Sequence, residues 1–115
     1  MTETTAVRYD RALLYIDAKD YITAARLFHD LVAELPEDVA LRLLLARAYY
    51  HSAQLRRAEA ELREVLTRDP VADYAHLLLG RTLQRQSRHA EAVPHLRLAE
   101  AMSGAGSAAM SETAD

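Results

Sequence analysis

Apolar residues recur along this chain at helical spacing, in pairs of stripes separated by short polar breaks. Leu41, Leu44, Leu45, Ala48 and Tyr49 stand at i, i+3, i+4, i+7 and i+8, which is one face of an α-helix. A break at His51 to Gln54 follows, and then Leu55, Ala58, Leu62, Val65 and Leu66 form a second stripe. The same plan lies on either side, with helices predicted near 6–18 and 21–35 before it and near 71–86 and 88–102 after it. Asp20 suits the N-cap of the second helix, because its carboxylate can accept from a free first-turn N–H. Asp69-Pro70 ends the fourth helix and is expected to open the fifth, since proline fits a first helical turn. Pro94 falls within about two turns of the start of the last helix and predicts a local distortion there.

The stripes repeat with a fixed period. Pro36 and Pro70 lie 34 residues apart, and shifting the chain by that amount aligns five further sets. Tyr15 falls on Tyr49 and Leu83, Ala12 on Ala46 and Gly80, and Ala24 on Ala58 and Ala92. Phe28 falls on Leu62 and Leu96, and Leu31 on Val65 and Ala99. Small residues recur where small ones stood, and large apolar ones where large ones stood. One helix pair cannot bury its stripe alone, so three stacked pairs sharing a continuous core are expected. The reading is an all-α helical-repeat solenoid in one domain, 1–104, with repeats 5–38, 39–72 and 73–104. Residues 105–115 are small, polar and unpatterned, and read as a disordered tail.

Composition narrows the chemistry. The chain has 115 residues and no Cys, which removes thiolate zinc sites, disulfides and a Cys nucleophile. Three Gly cannot build a phosphate-cradling loop. The five His, at 29, 51, 76, 89 and 95, are scattered with no metal-binding spacing; Glu91 and His95, at i and i+4, are the one pair close enough to consider. No catalytic set, cofactor or metal is therefore expected. No apolar run approaches the ~20 residues of a membrane span, and residues 1–10 lack an apolar h-region, so a cytoplasmic protein is expected. The net charge of −3 argues against a general nucleic-acid binder.

A 34-residue helix–turn–helix period is the length of the tetratricopeptide repeat, and the motif residues agree. The second copy carries Leu45-Ala46, Tyr49, Ala58, Leu62 and Pro70; the first carries Ala12, Tyr15, Ala24, Phe28 and Pro36; the third carries Leu79-Gly80, Ala92 and Leu96. Over roughly residues 5–103 the chain resembles a three-repeat tetratricopeptide protein. It departs from the pattern at the usual Trp position, held by Arg8, Arg42 and His76, and at Arg11, which replaces an apolar residue. Leu83 stands for the third Tyr and Gly104 for the last Pro.

The resemblance implies three antiparallel helix pairs in a right-handed superhelix whose first helices line a concave side. The groove residues it implies are Tyr9, Leu13, Ile16 and Asp17 from the first repeat, and Leu43, Arg47, Tyr50 and His51 from the second. The third supplies Tyr74, Leu77, Arg81, Gln84 and Arg85. Spacing supports the middle set independently, since 43, 47, 50 and 51 share a helical face. Arginines among Tyr and Leu suit an acidic protein or peptide partner with an apolar anchor. Some tetratricopeptide domains clamp a C-terminal carboxylate with Lys and Asn; Tyr9, Leu13 and Leu77 fill most of those positions here, and Arg81 alone keeps a charge, so a chaperone C-terminus is not the expected ligand.

A second reading uses the end of the array. No further helix pair follows the third, so a stripe of Leu96, Ala99 and Met102 is expected to stay uncovered and to serve self-association, for example as a homodimer. Charge is uneven: residues 1–38 carry four basic and eight acidic groups, whereas 39–72 carry six and four. That asymmetry would favour contacts between copies. The repeat register itself is testable. Ala58→Leu should cost about 1–3 kcal/mol by overpacking, read by thermal unfolding; an unchanged midpoint would contradict the register.

Overall fold

The computed structural model describes residues 3–114, with side chains described for 3–103. It contains six helices, α1 (Thr5–Asp17), α2 (Tyr21–Glu34), α3 (Val39–His51), α4 (Leu55–Arg68), α5 (Asp73–Arg85) and α6 (His89–Ala114), and no strand among the described residues. Each helix packs on the next in order, and α3 also touches α5. The three antiparallel pairs α1–α2, α3–α4 and α5–α6 thus stack as one all-helical repeat array.

Two apolar clusters form the core, and the central repeat belongs to both. The first joins Ala12, Ile16, Phe28 and Leu31 to Leu41, Leu45, Tyr49 and Ala58. The second joins Ala46, Leu62 and Val65 to Ala75, Leu79, Leu83 and Ala92. The small residues of the repeat register are sealed: Ala12, Ala46, Ala24 and Ala58 have no exposed surface. Gly80 shows why size matters, since a Cβ there would lie 2.5 Å from Leu96 Cδ2.

The helix ends follow local chemistry. Thr4 accepts from the Val7 N–H, Asp20 from Thr23 at 3.2 Å and Asp38 from Leu41 at 2.9 Å. Pro70 departs from expectation. Helix α5 begins at Asp73, so Pro70 lies in the turn and not in the first helical turn. Helix α6 continues through Pro94 without interruption, and its bounds run past the expected end near residue 102. The expected tail at 105–115 falls on residues whose side chains lie outside the described set, and Asp115 lies outside it entirely. Arg11 is exposed and paired with Glu3 at 2.6 Å, as its place on the first helix suggests.

The turn inside every repeat is built the same way. Lys19, Ala53 and Ser87, each one period apart, have positive φ of 62°, 60° and 61°. The next N–H reaches back over five residues each time, from Asp20 to Tyr15, Gln54 to Tyr49 and Arg88 to Leu83, at 2.8–2.9 Å. This is a Schellman cap, which normally places glycine at the left-handed position. A Cβ there costs about 1–2 kcal/mol, against about 0.5–1 kcal/mol of extra chain entropy for glycine. Ala53→Gly should therefore raise stability by about 0.5–1 kcal/mol, seen as a higher denaturation midpoint with unchanged m-value; a lower midpoint would contradict this account of the turn.

Candidate functional site

Helices α1, α3 and α5 present a row of side chains on the face where α3 meets α5. Tyr9 and Leu13 are half-buried against the first core cluster, and Leu43 and Tyr50 against the second. Leu77 and Arg47 are also half-buried, while Asp17, His51, Tyr74, Arg81, Gln84 and Arg85 are exposed. The set thus combines half-buried, mostly apolar side chains with exposed, mostly polar ones. Ile16 requires a correction, since its side chain is buried in the first core cluster and is not offered to the groove. It stands one position before Asp17, at the edge of the stripe, where periodicity alone does not separate a core side chain from a groove one.

One end of this row is tied together by stacked rings. Tyr21 of α2 stacks on His51 with centroids 4.6 Å apart, and His51 meets Tyr50 edge-on at 5.3 Å. Arg85 lies 4.8 Å over the Tyr50 ring and donates from Nη1 to the Tyr50 carbonyl at 3.0 Å. Partial burial, together with the Arg47 and Arg85 charges, pushes the His51 imidazole below its ordinary pKa. Arg47 and Arg85 are thus the charges that act on His51. Tyr21 was not among the expected groove residues, because it begins a second helix and reaches the row only through the turn.

The arginines divide by position. Among the described residues, Arg8, Arg11, Arg42, Arg63, Arg68 and Arg88 each pair with a carboxylate. Arg47, Arg81 and Arg85 on α3 and α5 have no such partner; the others without one, Arg26, Arg56, Arg57 and Arg97, lie on the second helices. The densest pairing is structural. Arg88 in the α5–α6 turn donates to Glu59 on α4 at 2.6 Å and to Glu91 at 2.7 and 2.8 Å. Burial works to raise the Glu59 pKa, but hydrogen bonds from Arg88, Gln86 and Arg63 outweigh it and hold the carboxyl below its ordinary range. That cluster joins the second repeat to the third, which one sequence could not reveal because Glu59 and Arg88 are 29 residues apart.

The other expected sites are rearranged. Glu91 is engaged by Arg88 and His95 by His76, so the two do not converge on a shared metal position. The stripe expected to be uncovered at the end of the array is also corrected. Ala99 is buried, and Leu96 and Met102 are half-buried, with Leu96 packed against Gly80. Helix α5 covers that face, and the exposed large apolar side chains on α6 among the described residues are Val93 and Leu98. A separate cleft lies between α2 and α4, lined by Ile22, Arg26, His29, Arg57 and Glu61 among others. Its charges are mixed, and its one sequence signal is Ile22, an apolar residue left 56% exposed. No helix among the described residues is long and apolar enough to cross a membrane.

These features define a helical-repeat scaffold of three helix pairs stacked in series. The model of the tetratricopeptide repeat family matches residues 15–82, and the chain belongs to that family, whose arrays serve as protein-interaction modules. Its fold is similar to solved structures of MamA. A mutant of MamA superposes with a TM-score of 0.83 at 20% identity, covering 89% of this chain and 56% of that one. MamA MSR-1 gives 0.82 at 19% identity over 90% and 59%, and residues 41 to the end of MamA from Desulfovibrio magneticus RS-1 give 0.81 at 22% identity over 90% and 58%. This chain thus spans under two thirds of the length of these neighbours. No curated protein matches it in sequence.

Proposed function

We propose that this chain is a non-catalytic binding module that holds an acidic segment of a protein partner along its inner face. The observation that carries the reading is the set Arg47, Arg81 and Arg85, which has no carboxylate partner among the described residues, whereas six other arginines are each engaged by a carboxylate. A guanidinium left without a carboxylate keeps its donors available for a ligand's carboxylates. Tyr9, Leu13, Leu43, Tyr50, Tyr74 and Leu77 supply the apolar surface for an anchoring side chain, and His51 and Gln84 the polar edge. Arg47 and Arg81 occupy equivalent positions one period apart, so an extended segment would meet them in succession.

The test is a fluorescence titration with short Asp- and Glu-rich peptides carrying one Leu or Phe. Binding should weaken as salt rises, and Arg47→Glu with Arg81→Glu should reduce affinity at least about tenfold, a loss of about 1.4 kcal/mol. The helical circular dichroism should stay intact in that variant. The same complex should raise the His51 pKa, because a bound carboxylate offsets the arginine charge now depressing it. Equal affinity of the two proteins, or no binding by either, would refute the groove reading.

A further inference from the structure

Outside the groove, one polar contact has changed character between consecutive repeats. In the second repeat Arg42 donates to Glu61 at 2.7 Å and to the Pro36 carbonyl at 2.9 Å. One period later the same three positions are His76, His95 and Pro70. There His76 Nε2 lies 2.8 Å from the Pro70 carbonyl, and its Nδ1 lies 3.1 Å from Nδ1 of His95. The two rings stack with centroids 5.3 Å apart and planes 24° from parallel. His76 is buried on α5 and His95 half-buried on α6, so an arginine–glutamate pair has been replaced by two imidazoles across the α5–α6 seam.

The proton positions follow from the partners. A carbonyl only accepts, so His76 Nε2 must carry a proton. In the neutral ring His76 Nδ1 is then bare and accepts from the Nδ1–H of His95. One added proton is tolerated, because one ring can still donate through Nδ1 while the other accepts there. A second proton sets two N–H groups against each other at the 3.1 Å contact and places two cations side by side. Among the described residues, no carboxylate lines the cleft beside them. Arg63 is the charged side chain from α4 that lines the same cleft, and it is held by Glu59. Glu91, one turn before His95 on α6, is bound by Arg88.

We propose that the His76–His95 pair is a pH-sensitive latch that holds α6 on α5 at neutral pH and loosens it in acid. Burial, the neighbouring His76 and Arg63 all push the His95 pKa below its ordinary value of 6.5. A depressed histidine means that the unfolded chain binds the proton more tightly than the folded one. Stability is therefore complete above about pH 6.5 and declines as pH falls from there toward the depressed value. The second repeat has no imidazole at these positions, so the third repeat should respond first.

The experiment compares the full chain with a His76→Arg, His95→Glu variant, which restores the ion pair of the second repeat. Between about pH 7.5 and about pH 5 the wild-type melting temperature should fall by about 5 °C more than that of the variant. His51→Gln, which removes the other depressed histidine, should leave that difference in place. Amide exchange should show protection lost in acid along α5 and α6 before α1 and α2. Equal pH dependence of wild type and variant, or uniform loss of protection along the chain, would overturn the latch. Should the double variant not fold, nitrogen-15 spectra of the wild-type rings decide. A proton on Nε2 of His76 and on Nδ1 of His95 at about pH 7.5 supports it, and the reverse tautomers refute it.

Discussion

The structure depends on how closely the two helices of each repeat approach. A small residue on the first helix makes room for a large apolar residue on the second: Ala12 lies in one cluster with Phe28, and Ala46 in the other with Leu62. At Gly80 the fit leaves no space even for a methyl group, because Leu96 Cγ would stand 2.6 Å from it. Close-packed interiors do not yield to such crowding, and extra volume forces the helices apart. Because this approach sets the spacing of every pair, it also sets where the first helices meet, and so the inner face on which Arg47, Arg81 and Arg85 stand.

This constraint is also what made the fold legible. Small-beside-large positions repeating every 34 residues appear directly in the sequence, and the helices, the Asp20 cap and the stacked core follow from them. Single positions were harder to read. Ile16 and Asp17 are neighbours on one helix, yet the first is core and the second is exposed. Leu96 and Ala99 looked uncovered because nothing follows them in the repeat pattern, whereas α5 already covers that side of α6. Pro70 lies in the turn, where four residues, 69–72, separate α4 from α5.

The polar contacts were least legible. Pairs such as Arg88 with Glu59, or Tyr21 with His51, join residues about one period apart through the geometry of turns. Once the fold is known, the period becomes useful again. It aligns Arg42, Glu61 and Pro36 with His76, His95 and Pro70, and shows one slot filled by two different chemistries. Ion pairs such as Arg68 with Glu37 and Arg88 with Glu59 join one repeat to the next.

The most direct test of the central claim is a double-mutant cycle at Gly80 and Leu96, read by chemical denaturation. Alone, Gly80→Ala should lower stability by about 1–3 kcal/mol, because crowding against Leu96 outweighs the better helix propensity of alanine. In a Leu96→Ala background the same substitution should instead be neutral or raise stability by up to about 1 kcal/mol. A cost that persists unchanged without the Leu96 side chain would contradict close approach at this contact as the constraint that builds the array.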